Sequence, residues 1–300
     1  MKLKTCMLLI MFLFLSIQLR FLSCDNGNED VLTSPIYETN SEYFVSVRVV
    51  SFGGVSGCSS VSVYKGDEPI DAEVRINEVL LSPAMESTPY GLYEEDGDSL
   101  SYSQKMRYDI EVTRNDTLIA YGTTYMPTNP TITNLPFLYY HKLNKDLNIK
   151  WTKSQYATSL EIIVYWENED GSDMIFDTGL ISPNLTSYTV PDTVFSKYGM
   201  YAIGITAFNG INAGMDFDSL SISNNDNIGC NIHNSRGSLV AVNMYPNYDG
   251  LMIYVDSTEA NLSKMVNKKY TGRPIGEIFE ERILNKLSHN KSLKKYIRNQ

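Results

Sequence analysis

Three histidines, His141, His233 and His289, are the only imidazoles in a chain of 300 residues. None stands in an HExxH pair or at ligand spacing from another His or Cys, so the usual zinc frames are missing. No GxSxG, P-loop or GxGxxG motif occurs. Two acidic runs, Glu94-Glu95-Asp96-Gly97-Asp98 and Glu167 to Asp173, carry the oxygen ligands that suit Ca²⁺. Neither has the twelve-residue EF-hand spacing, and both fall where hairpin turns belong, so they read as solvated turns. The expectation is therefore no catalytic residue, no metal, no cofactor and no enzymatic activity. Four cysteines stand at Cys6, Cys24, Cys58 and Cys230, without a CxxC pair. Cys58 and Cys230 read as separate, partly buried thiols; a disulfide between them needs Cα atoms within about 7 Å. Tyrosine is abundant, 21 against 11 Phe and 2 Trp. Tyr139, Tyr140, Tyr245 and Tyr248 fall in expected loops, where an aromatic ring with a polar tip suits a sugar or a protein partner. Packing within strands is the plain alternative, because Tyr favours strands.

The elements that must position these residues begin with an address. Lys2 and Lys4 precede an apolar run from Cys6 to Leu19, the length of a signal peptide and too short to span a bilayer. Ser23-Cys24-Asp25 at its end resembles a relaxed lipobox of bacterial lipoproteins. That resemblance implies cleavage after residue 23, acylation of the Cys24 thiol, and attachment to an envelope membrane through the lipid. Acidic residues directly after Cys24 resemble the surface-export signal of Bacteroidetes lipoproteins. Residues 24–40 lack apolar periodicity and read as a flexible tether.

Overall composition is 43% hydrophobic and 20% charged, enough for a core. The formal net charge is −10, which argues against nucleic acid as a partner, since phosphate binding needs a basic footprint. Charge is uneven: residues 24–255 carry −18 and residues 256–300 carry +5.

Residues 41–127 alternate with period two. Tyr43, Val45, Val47 and Val49 share one face, and Tyr108, Ile110 and Val112 alternate with Arg107, Asp109 and Glu111, the pattern of half-buried antiparallel strands. Val61 to Tyr64 and Val74 to Val79 read as further strands, Asn115-Asp116 as a hairpin turn, and Gly53-Gly54 and Gly66-Asp67 as turns. Several short strands with regular turns argue for a β-sandwich. Pro127, Pro130 and Pro136 punctuate the junction to the next module as a hinge would.

Residues 128–226 carry Leu147-x-Ile149-x-Trp151, then Leu160, Ile162, Val164 and Trp166 in alternation, then Thr186 to Val190. Last comes Tyr201-x-Ile203-x-Ile205-x-Ala207-x-Asn209, with Phe195 six residues before Tyr201. This set resembles a fibronectin type III domain. The resemblance implies that Trp151 is a core residue and that Tyr201 is a corner tyrosine whose hydroxyl bonds back to the chain. Residues 227–255 read as an extra β-hairpin, with Arg236-Gly237-Ser238 as a turn. From residue 256 the period changes. Ile275, Phe279, Ile283 and Leu287 recur every four residues, so residues 256–300 read as a helical basic tail. The tail either docks on the acidic body or forms an arm that contacts a partner or membrane.

The expected architecture is all-β: tandem antiparallel β-sandwiches, Ig-like or fibronectin type III-like, with a C-terminal helical tail. The expected function is a lipid-anchored, non-enzymatic binding module of the bacterial cell envelope, with an unidentified protein or glycan partner. A surface glycan-binding lipoprotein and a structural periplasmic spacer are the rival readings.

Overall fold

The computed structural model describes residues 41–54, 56–83, 92–94, 99–168, 171–215, 231–245 and 251–257. Cys24, the tether, Cys230, Tyr248, His289 and the tail from residue 258 lie outside them, as do the side chains of both acidic runs; Asp256, expected to open the tail, is the last residue of a strand. No helix among the described residues is long and apolar enough to cross a membrane.

The first module opens with β1 (Tyr43–Phe52) and β2 (Ser56–Lys65), antiparallel about Gly53-Gly54, whose φ angles of 68° and 80° suit glycine. Short strands follow: β3 (Glu68–Pro69), β4 (Glu73–Ile76), β5 (Val79–Leu80), β6 (Ser82–Pro83) and β7 (Leu92–Glu94). The run Val74 to Val79 is thus two strands rather than one. Asn77 and Glu78 adopt positive φ (48° and 69°) and turn β4 onto β5, the conformation of a two-residue hairpin. The hairpin expected at Asn115-Asp116 joins β8 (Arg107–Arg114) to β9 (Thr117–Tyr125), with φ of 48° and 60° at the turn.

The second module contains β10 (Leu138–Lys142), β11 (Leu147–Lys150), β12 (Ser159–Asn168), β13 (Gly171–Asp177), β14 (Ser187–Val190) and β15 (Gly199–Asn209). Strand β11 pairs with β14, while β13, β12 and β15 form the facing sheet. Between them lie Ile149, Trp151, Leu160, Ile162, Phe195 and Tyr201. Trp151 is 3% exposed, as a core residue. The Tyr201 hydroxyl donates to the Lys197 carbonyl at 2.9 Å and accepts from the Lys197 N–H at 3.2 Å, closing the corner expected of that residue.

Three strands complete the chain: β16 (Ile232–His233), β17 (Arg236–Tyr245) and β18 (Leu251–Asp256). The expected extra hairpin is not formed. Strands β17 and β18 do not pair with each other; both lie along one edge of β15, with Ile205 opposite Tyr245 and Ile203 opposite Leu251. The two strands follow one another along that edge. The physical reason is burial on both faces. Every residue of β18 and all but Tyr245 of β17 are buried, so each strand needs a neighbour along both edges and a layer on either side. On its far edge β17 runs parallel to β1, with Val45 opposite Gly237 and Phe52 opposite Met244. Arg236-Gly237-Ser238 is accordingly strand, not turn. On its far edge β18 runs parallel to β10.

The consequence is one continuous sheet through both modules, eleven strands among the described residues. A second sheet, in the order β16-β9-β8-β4-β5, closes the first sandwich. The first core draws on Val47 of β1 and Ile110 of β8, and also on Leu239 and Ala241 of β17. The modules are therefore two β-sandwiches that share a strand. The junction is fixed rather than hinged: Asn243 Nδ2 donates to the Pro127 carbonyl at 2.7 Å, and Asn209 Nδ2 to the Tyr125 carbonyl at 3.1 Å.

Candidate functional site

Strand alternation sends Tyr108, Ile110 and Val112 into the first core and leaves Arg107, Asp109 and Glu111 on the outer face of β8. On β9 the same alternation turns Tyr121, Thr123 and Tyr125 outward. The register then lays out three rows. Tyr121 stands between Glu111 and His233, Thr123 opposite Asp109, and Tyr125 opposite Arg107.

Each end of this surface carries a stacked aromatic pair. Tyr121 and His233 stack with centroids 4.5 Å apart and an interplanar angle of 5°. Tyr125 and Tyr156 stack at 5.1 Å and 17°. Tyr121 and Tyr125 are four residues apart on one strand, about 13 Å. Tyr156 comes from the second module, and His233 from the short strand that precedes β17. Gly122 makes the second approach possible: a Cβ there would lie 2.0 Å from the Asn231 carbonyl oxygen.

Polar groups lie between the aromatic pairs. Asp109 Oδ1 accepts from Thr123 Oγ1 at 2.6 Å and from Arg107 Nε at 3.0 Å. Asn77 clamps the neighbouring turn to β8, donating to the Arg107 carbonyl and accepting from the Asp109 N–H, both at 2.8 Å. The Glu111 carboxylate is exposed beside Tyr121. A fixed row of rings flanked by a carboxylate, a guanidinium and a hydroxyl can offer apolar stacking together with hydrogen bonds, which is what a polyhydroxylated ligand uses.

The tyrosines singled out from the sequence do not form one site. Tyr139 and Tyr140 lie on β10, not in a loop, because that segment pairs with β18. They point to opposite faces: Tyr139 packs on the second core, whereas the Tyr140 hydroxyl donates to the Asp256 carbonyl at 3.2 Å. Tyr245 ends β17 and also packs on the second core. Cys58 is half-buried on β2. Tyr121 and Tyr125 were legible as alternate residues of a strand; Tyr156 and His233 were not, since Tyr156 is placed by the junction, where the Gln155 N–H donates to Thr128 Oγ1 at 2.8 Å, and His233 by the pairing of β16 with β9.

His141 is a core residue. It is 6% exposed, its Nε2 lies 2.8 Å from the Lys145 carbonyl oxygen, and its ring meets Phe195 edge-on at 4.7 Å. A carbonyl only accepts, so Nε2 carries the proton. Burial pushes its pKa down, partly opposed by that hydrogen bond. Among the described residues no group of three or more His, Cys, Asp or Glu could hold a metal ion.

No family model matches the chain, and no curated protein matches it. Among solved structures, the chicken CNTN1 FN1–FN3 domains are similar to it at 12% identity and a TM-score of 0.22. That match covers 55% of this chain and 63% of the other.

Proposed function

We propose that this chain is a non-enzymatic binding module of the bacterial cell envelope, tethered through a lipid on Cys24, and that the outer face of β8, β9 and β16 takes a glycan. The observation that carries the ligand reading is the pair of aromatic stacks, Tyr121 with His233 and Tyr125 with Tyr156, bracketing Asp109 and Thr123 on the β8–β9 hairpin, with Glu111 beside Tyr121. The anchoring reading is supported by the basic start, the short apolar run and Ser23-Cys24. An acidic body of −18 disfavours strongly anionic ligands and leaves neutral polysaccharide as the favoured class.

The test uses the full chain. Affinity electrophoresis against neutral polysaccharides is expected to retard the wild type. Tyr121→Ala and Tyr125→Ala each weaken binding by about threefold to tenfold, since a stacked ring contributes about 0.5–1.5 kcal/mol. Circular dichroism stays native, because both rings face outward. Unchanged retardation of the two variants would move the ligand elsewhere, and no retardation by any polysaccharide would end the glycan reading. In cells, labelling with a fatty-acid analogue is expected to mark the wild type and to vanish in Cys24→Ala; label that persists would end the anchoring reading.

A further inference from the structure

Alternation divides the faces of β1. Val45, Val47 and Val49 point into the first core, so Ser46 and Arg48 point to the other side of the sheet. Both are buried there, Ser46 at 5% and Arg48 at 6% exposure. Register surrounds them with hydroxyl side chains. Ser60 of β2 stands opposite Arg48, and Ser46 stands between Ser62 of β2 and Ser238 of β17. Val61, Val63 and Leu239 fill the first core, so these serines share the face of Arg48. Arg236, two residues before Ser238 on β17, places a second arginine one row along, opposite Phe44. A guanidinium in this position is costly. Burial pushes the Arg48 pKa down to about 9, which leaves it charged at pH 7, and its Nε has no hydrogen-bond partner. The Ser238 hydroxyl, buried as well, has none either. None of the ion pairs among the described residues includes Arg48. Glu161, buried on the same side, is out of reach: it faces Thr206, Thr206 faces Met244 and Met244 faces Phe52, which puts it three strands across and four residues along from Arg48. A buried charge is tolerated when a counter-charge and hydrogen bonds meet it.

We propose that the face of β2, β1 and β17 binds a small tetrahedral oxyanion, a phosphate or sulfate group, on Arg48 and the hydroxyls of Ser46, Ser60 and Ser238. The guanidinium fork takes two oxygens. The serines, on strands to either side of it, supply donors for the remaining oxygens, which a carboxylate does not have. Ser60 and Ser62 are half-buried, so the anion enters from the β2 side. The charge of −18 on residues 24–255 opposes this only at long range, since physiological salt screens it within about 8 Å. Glu94 of β7 stands opposite Ser60, two strands from Arg48, and is the rival counter-charge. The site belongs to the eleven-stranded sheet, so it is separate from the outer face of β8 and β9 and independent of the glycan reading.

The experiment titrates the full chain with inorganic phosphate, inorganic sulfate and glucose 6-phosphate at constant ionic strength, with chloride as the control, and reads Tm by calorimetry. The wild-type Tm is expected to rise saturably with phosphate or sulfate and not with chloride. Glucose 6-phosphate binding tighter than inorganic phosphate assigns a phosphate ester as the ligand; otherwise the ligand is the free ion. Arg48→Met keeps an apolar stem in place of the charge and is expected to weaken the anion at least about tenfold, the loss of hydrogen bonds from a charged group. Ser46→Ala with Ser238→Ala is expected to weaken it at least about threefold, and this variant decides alone if Arg48→Met does not fold. No saturable shift in the wild type, an equal shift with chloride, or wild-type affinity in either folded variant would overturn the proposal. So would a phosphate shift that appears only in Glu94→Gln, because that carboxylate would then be the counter-charge of Arg48.

Discussion

Two buried polar side chains carry measurable terms. Tyr201 places an aromatic ring 5.4 Å from Phe195 and spends its hydroxyl on both polar groups of Lys197. Tyr201→Phe keeps the ring and leaves a partly buried N–H and C=O without their partner. We expect a loss of about 1–3 kcal/mol, a fall in Tm of several degrees in a calorimeter. His141 gives a pH dependence. Its pKa is lowered in the fold, chiefly by burial, so between the ordinary value of about 6.5 and the lower folded value the unfolded chain binds the proton that the native chain refuses. The histidine's contribution is complete above about pH 6.5 and is lost as pH falls through that window. Tm measured from pH 7 down to pH 5 is expected to drop, and His141→Phe is expected to make the drop smaller. A His141→Phe profile as steep as the wild type would assign the slope to other groups.

At the scale of elements, the parallel seam between β1 and β17 is where two modules become one body. Its tightest point is Gly237, at φ 114°, where a Cβ would stand 2.1 Å from the Val45 carbonyl oxygen. Gly237→Ala is expected to cost at least about 2 kcal/mol, because backbone on both sides must part. Urea titration would read this as a lower midpoint, and an unchanged midpoint would show the seam to be slack. This seam also marks where sequence reading stops. Strands β8 and β9 were legible because each buries one face, and alternation reports that directly; β12 and β15 bury both faces, but Leu160, Ile162 and Val164 and Tyr201, Ile203 and Ile205 keep an alternating apolar row beside Glu161, Gly204 and Thr206. Strands β17 and β18 bury both faces, so their apolar runs state burial but not partners, and proximity in sequence suggested a hairpin. Tyr139 and Tyr140 were misplaced for a different reason: β10 is short, follows Pro136, and its partner lies more than a hundred residues away. The aromatic surface was half legible, since Tyr121 and Tyr125 belong to a readable strand, while His233 reaches it through the pairing of β16 with β9 and Tyr156 through the Thr128–Gln155 junction, both distant in sequence from β9.

At the scale of the whole molecule, the shared strand decides whether this is two domains or one. A linker marked by Pro127 and Pro130 suggests independent modules, yet the Tyr125 carbonyl that ends β9 and the Pro127 carbonyl of the linker are held by Asn209 and Asn243, which are 6% and 0% exposed. Asn243 sits on β17, the strand whose Leu239 and Ala241 fill the first core while its neighbours Val240 and Val242 fill the opposite face. Removing β17 would strip β1 of one edge and leave Val45, Val47 and Val49 half covered, an exposure of apolar area that a module of fewer than 90 residues cannot absorb. The two sandwiches should therefore unfold together. Calorimetry of the full chain is expected to show one transition whose calorimetric and van't Hoff enthalpies agree. Residues 41–127 expressed alone are expected to stay unfolded by near-ultraviolet circular dichroism, and to gain structure only when the segment 231–257 is supplied in the same chain. Two resolved transitions, or a native spectrum from residues 41–127 alone, would show that the strand between the modules is an accessory to folds that stand without it.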